Sequence, residues 1–122
     1  MPSSESTAKL IEAARYGSEG GVRFFLKRGV PVNGADERGW TALHWAAAKP
    51  SLDCVELLLL AGAGLSAVSA AGDTALHVAA SMGNMQVQRQ LIKAGADIKI
   101  RNAAGQTPVD LARARPSTPE GE

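Results

Sequence analysis

Gly39, Gly72 and Gly105 recur every 33 residues, each followed two positions later by a threonine (Thr41, Thr74, Thr107) that opens an apolar, helix-forming stretch. Self-similarity at this interval marks stacked supersecondary units, each too small to bury its own apolar face and dependent on its neighbours. The register holds elsewhere. Leu43 and Leu76 match Val109, Ala46 and Ala79 match Ala112, and Gly29, Gly62 and Gly95 share the same step. Counting back from the second unit puts Leu10 under Leu43, Ala13 under Ala46 and Gly17 under Pro50, so the N-terminal segment is a degenerate first unit. About three and a half copies then span nearly the whole chain, close to the minimum such an array needs.

Composition narrows the class. The 122 residues suffice for one domain, and 45% apolar with 20% charged residues is ordinary for a folded chain. Aromatics make up only 4% while alanine is abundant, which suits helices packed closely through small side chains better than one large central core. Thirteen basic against twelve acidic residues leave a net charge of +1, with 7 of each sign in residues 1–61, so no electrostatic footprint for nucleic acid or an anionic membrane is present. The opening MPSSESTAKL lacks a signal pattern, and no apolar run approaches the roughly 18 residues of a membrane span. Cys54 is alone and there is no Asn-x-Ser/Thr acceptor, so a cytoplasmic or nuclear chain is expected.

Within one unit, the glycine tolerates positive φ and Thr41 occupies the N-cap of a short helix over about 42–49. In the last unit Pro108 follows Thr107, at a first-turn site where a missing backbone donor costs nothing. After Pro50, Asp53 lies near the start of a second helix whose Val55, Leu58 and Leu59 follow the spacing of one buried face, and Gly62 closes it as a left-handed cap. The intervening segments VPVNGADERG, AGLSAVSAAG and ADIKIRNAAG read as extended, hairpin-like loops projecting from one edge of the stack.

These residues resemble ankyrin repeats. The motif Gly-x-Thr-Pro-Leu-His-x-Ala-Ala is matched by GWTALHWAA (39–47), GDTALHVAA (72–80) and GQTPVDLA (105–112). The second-helix motif is matched by VELLLLAGAG (55–64), QLIKAGADIK (90–99) and, more loosely, VRFFLKRGVPVN (22–33). The resemblance covers about residues 6–115 and implies an all-α fold, a solenoid of stacked helix-turn-helix units with hairpin-like loops. It divides a single domain over 1–122 into repeats at about 4–36, 37–69 and 70–102 and a partial one at 103–115, with a tail over 116–122 expected to be disordered. Two features depart from the family pattern: Pro50 replaces the usual glycine between paired helices, and Gln88 and Gln90 stand at sites normally apolar. The glutamines imply loose packing there or an unknown neighbour.

Candidate chemistry is sparse. His44 and His77 share one register, and the resemblance implies a structural role in which each bonds near its own threonine and ties adjacent loops; a metal site would need further ligands, and Asp110 replaces the third histidine. Cys54 is expected to be a small core hydrophobe. Ser6-x-x-Lys9 has the spacing of some acyl enzymes without their companion motifs, and Gly62-Ala63-Gly64 follows a helix where a phosphate loop would precede one. Asn33 stands at the loop position hydroxylated in some family members, but Pro31 replaces the usual acidic residue before it; Thr118-Pro119 is a possible phosphorylation dipeptide.

By resemblance, the partner-facing strip comprises Arg15 and Tyr16 in the first unit and Glu37, Arg38, Trp40, Ala48 and Lys49 in the second. The third unit adds Ala70, Ala71, Asp73, Ser81 and Met82, and the fourth Gln106. Trp40, following a turn glycine, is expected to leave much of its ring exposed. The implied function is a non-catalytic protein-binding module, an adaptor or inhibitor acting as a monomer through a concave loop and first-helix surface, with no cofactor, metal, nucleic acid or membrane. The alternative is the ankyrin portion or targeting subunit of a larger enzyme or channel; the initiator methionine favours the first reading and the half-built last unit the second.

Overall fold

A computed structural model describes residues 4–114; the 116–122 tail and Thr118-Pro119 lie outside the described residues. Seven helices run in chain order: α1 (Ser4–Arg15), α2 (Glu19–Lys27), α3 (Ala42–Ala48), α4 (Leu52–Leu60), α5 (Ala75–Met82), α6 (Met85–Lys93) and α7 (Pro108–Ala114). The first helices of successive units, α1, α3, α5 and α7, pack in one row and the second helices, α2, α4 and α6, in another. The fold is all-α.

The 33-residue register becomes a register of contacts. Ala14, Ala47 and Ala80 are each completely buried, because first helices approach closely only where the facing side chain is a methyl group. Leu10, Leu43 and Leu76 fill the space beneath them. Second helices begin alike, with Ser18, Ser51 and Asn84 accepting from the amides of Gly21, Cys54 and Val87 three residues on, which satisfies one orphan donor of each first turn. Val55 and Leu58 are buried and Leu59 partly so, while Cys54 is buried beside them. Burial raises the Cys54 thiol pKa, so it stays protonated and packs as a small apolar group.

Each hairpin is one turn built three times. Asp36 accepts through a side-chain oxygen from the amides of Arg38 and Trp40, Ser69 from those of Ala71 and Asp73, and Asn102 from those of Ala104 and Gln106. The hairpins also stack on one another. Ala70 donates its amide to the Arg38 carbonyl and Ala103 to that of Ala71, both at 2.9 Å. Glycine is required at the turn by two separate constraints. Gly72 has φ +79°, and a Cβ there would lie 2.7 Å from the Ala103 amide nitrogen.

Thr41 and Thr74 cap α3 and α5, and the histidines do what the resemblance implies. The Thr41 amide donates to His44 Nδ1 at 3.1 Å, which leaves the proton on Nε2, 2.8 Å from the Asp73 carbonyl of the next hairpin. His77 repeats this with Thr74 and the Gln106 carbonyl. In the last unit Asp110 closes a local box with Thr107 and, as an acceptor, has no proton to pass onward. The Thr107 amide and hydroxyl, bonded to it, hold its carboxyl below the usual range.

Of the two unusual glutamines, Gln90 faces α4, where its amide donates to the Leu52 carbonyl at 3.0 Å, and Gln88 turns back to the Asn84 carbonyl of its own helix. The amide oxygen of Gln90 is buried with no partner among the described residues.

Gly72→Ala and Gly105→Ala share a left-handed penalty of about 1–2 kcal/mol, but only Gly72→Ala displaces a backbone amide, since nothing lies within 4 Å of a Cβ at Gly105. Urea unfolding should rank Gly72→Ala as clearly the more damaging, and equal losses would contradict hairpin stacking. Burial, opposed by the bond to the Asp73 carbonyl, depresses the His44 pKa below the ordinary 6.5. The unfolded chain therefore takes up a proton before the folded one, so stability is complete above about pH 6.5 and is lost as the pH falls from there towards the lowered value. Denaturant titrations between about pH 8 and pH 5 should show this loss, reduced in His44→Gln.

Candidate protein-binding surface

One end of the hairpin and first-helix face gathers Tyr16, Trp40 and Trp45 with Arg15 and Arg38. Asp36 organises it. Beyond the two turn amides, its second oxygen accepts from the Trp45 indole nitrogen at 2.9 Å, drawing that ring from α3 onto the hairpin. Burial is the largest single influence on the Asp36 carboxyl and would raise its pKa, but the bonds from Trp45, Trp40 and Arg38 together outweigh it and the group is held below 3.8.

Trp40 lies against Trp45 with ring centroids 4.6 Å apart and against His44 at 5.7 Å. The expectation of a largely exposed Trp40 ring is corrected: it is partly buried, because Asp36 draws the Trp45 indole onto the hairpin and against the Trp40 ring. Arg38 stacks 4.8 Å above the Trp40 ring and 5.6 Å from that of Trp45, and Arg15, at the end of α1, lies 5.0 Å from Trp45 and 5.7 Å from Tyr16. A guanidinium stacked on a ring keeps its edge donors available.

Of the strip inferred from sequence, Arg15, Tyr16, Glu37, Arg38 and Trp40 come together around Trp45. Tyr16 is 63% and Met82 51% exposed. Lys49 is exposed, its aliphatic stem laid over Gly17, and Ala48 beside it is partly buried. Ser81 is exposed on α5, and Ala70 and Ala71 form the exposed tip of the second hairpin. Asp73 and Gln106 are drawn inward: both accept from the Asn102 side-chain amide, at 2.9 and 3.4 Å, and both give their carbonyls to a histidine.

Residues not anticipated are Ala8, Ile11 and Glu12 of α1, which with Asp36, Arg15 and Trp45 line a groove of about 530 Å³. A signal for them exists. The position 33 residues before Gly39 is Ser6, so the first unit has no turn glycine, and α1 runs as helix through the place where a hairpin would stand.

All four ring nitrogens of His44 and His77 are engaged within the protein, and among the described residues no group of three or more His, Cys, Asp or Glu converges as metal ligands would. No helix there is long and apolar enough to cross a membrane.

Serial helix pairs carrying a rigid row of hairpins define a stacked-repeat scaffold. Models of ankyrin repeats match residues 4–69 and 71–103, and the chain belongs to the ankyrin repeat family. It is similar to neurogenic locus notch homolog protein 1 of Xenopus tropicalis (42% identical over 59 residues, 48% of this chain) and notch homolog protein 2 of Homo sapiens (42% over 59 residues, 48% of this chain). It is also similar to the ankyrin repeat domain-containing protein SAT10 of Stachybotrys chartarum, at 48% over 54 residues and 44% of this chain. The matches span only 2–3% of those proteins' length. Ankyrin repeats are protein–protein interaction modules, generally without catalytic activity.

Because one carboxylate holds three donors, Asp36→Ala should cost about 1–3 kcal/mol and release the indole. The Trp45 indole N–H resonance and denaturant unfolding report both, and an unmoved resonance would show that the ring is held by packing alone.

Proposed function

We propose that the chain is a non-catalytic adaptor or inhibitor that captures a partner protein on the face formed by its hairpins and first helices. The observation that carries this reading is the Arg15, Tyr16, Arg38, Trp40 and Trp45 cluster, since tryptophan, tyrosine and arginine are the side chains that most often dominate interface energies. Stacking supports it further. Hairpins already bonded to one another lose little ordering entropy when a partner docks. Lys49, Ser81 and Met82 extend the surface along the ends of α3 and α5, and Glu37 at the first hairpin tip supplies a charge for register.

A second reading, the ankyrin portion of a larger protein, has one observation in its favour. Val109 is 44% exposed, whereas its register counterparts Leu43 and Leu76 are buried to 1% and 2%, so α7 presents an apolar face that another helix pair would cover.

The test uses exposed residues only, because Trp40 also supports the fold. Tyr16→Ala, Lys49→Ala and Met82→Ala combined should release the partner captured from extract of the source cell while leaving the thermal midpoint nearly unchanged. Leu58→Ala, a buried truncation, should instead cost about 2–5 kcal/mol. Undiminished capture by the triple variant would sink the assignment.

A further inference from the structure

Each hairpin after the first rests on the one before it. Ala70 and Ala103, in the same register, donate their amides to the Arg38 and Ala71 carbonyls. One unit earlier the equivalent donor is the amide of Glu37, and the turn that should receive it is replaced by helix, because residues 4–8, at the register of Glu37–Thr41, belong to α1. Among the described residues nothing accepts from the Glu37 amide, and the space the missing hairpin leaves is the groove floored by Ala8, Ile11 and Trp45.

The groove carries charges of both signs, and its two cations are the unpaired ones. The Arg15 and Arg38 guanidiniums flank Trp45, and neither makes an ion pair or a side-chain hydrogen bond among the described residues, where the one ion pair is Arg23–Glu19. Asp36, the carboxylate between them, keeps its charge and interacts with Arg38, but its oxygens are already taken by three donors within the protein, which leaves Arg15 as the freer of the two cations. Glu12 and Glu37 stand among the lining residues, so the geometry suits a single acidic group against the arginines better than a run of them.

We propose that this vacant hairpin position captures an extended segment of a partner protein, one carrying an apolar residue followed within a few positions by a carboxylate. The segment's backbone carbonyl accepts from the Glu37 amide as the Arg38 carbonyl does from Ala70, its apolar side chain enters between Ile11 and Trp45, and its carboxylate meets the edge donors of Arg15. This assignment rests on the protein-binding reading above and adds to it the place and the form of the ligand. Main-chain bonding of an extended segment supplies affinity, and the groove and arginines supply selectivity.

The probe is a panel of synthetic twelve-residue unstructured peptides bearing one leucine and, one to three positions later, one glutamate, with lysine in place of glutamate as control, titrated against the full chain. Glutamate peptides should bind and lysine peptides should not. Arg15→Glu should weaken binding about tenfold. Glu37→Pro removes the amide at the second position of a turn closed by the Gly39 amide and Asp36 carbonyl, where proline is well accommodated, and should weaken binding about fivefold relative to Glu37→Ala, which keeps the amide. Equal affinity of those two variants overturns the proposal. Should Glu37→Pro fail to fold, the Glu37 amide resonance of the natural chain decides: a downfield shift on saturation supports the main-chain bond, and an unmoved resonance refutes it. If no peptide binds yet the Tyr16, Lys49 and Met82 variant still loses its partner, this inference alone falls; if that variant keeps its partner too, both readings fall.

Discussion

The imidazole that reaches from one first helix to the carbonyl of the next hairpin is the contact on which the stack depends. His44 and His77 each take an amide proton from their own cap on one nitrogen and give a proton to a carbonyl 29 residues onward from the other. Both rings are buried, so an unmade bond at either nitrogen would leave a desolvated polar group unpaired, at a cost of about 1–3 kcal/mol. Only a neutral histidine can accept at one end and donate at the other. That is why burial and the depressed protonation of His44 are one fact seen twice.

The same contact explains where the repeat stops being regular. The first unit has Ala8 and Ile11 at the threonine and histidine positions, and the last has Asp110, which closes its own cap but cannot donate. Units two and three are therefore coupled forward through a histidine, while the first unit has none to pass on and the last receives the bond from His77 without extending it. At the N-terminal end the unstacked hairpin edge lies beside an apolar floor and two arginines, and at the C-terminal end Val109 is left half covered. In a nearest-neighbour array such end effects stay local, so a binding surface can form at an end without loosening the middle.

Much of this was legible in the chain because the repeat prints each structural demand several times. Thr41 and Thr74 as caps, Gly39, Gly72 and Gly105 at positive φ, and the burial of Val55 and Leu58 each follow from local stereochemistry in a fixed register. The surface proposed for binding was less legible. Arg15, Tyr16, Arg38 and Trp40 lie near one another, yet the exposure expected of Trp40 did not follow, because it depends on a bond between Asp36 and the Trp45 indole nine residues away. Of the two alternatives open for Gln90, loose packing or a neighbour, the neighbour is α4: its amide meets the Leu52 carbonyl across 38 residues. The α1 face of the groove is marked in the chain only by Ser6 standing where the later units carry a turn glycine.

The amino-acid order by itself determined the units: where helices begin and end, which side chains they bury, and that the units must stack, since short-range stereochemistry and periodicity act through residues a few positions apart. Only the tertiary structure decided what the stack presents. Whether a ring is covered, a carboxylate consumed or an amide left without an acceptor depends on which atoms of distant units meet. The Arg15 guanidinium lying over the Trp45 ring from another unit, and the Glu37 amide left without an acceptor among the described residues, are settled by that meeting.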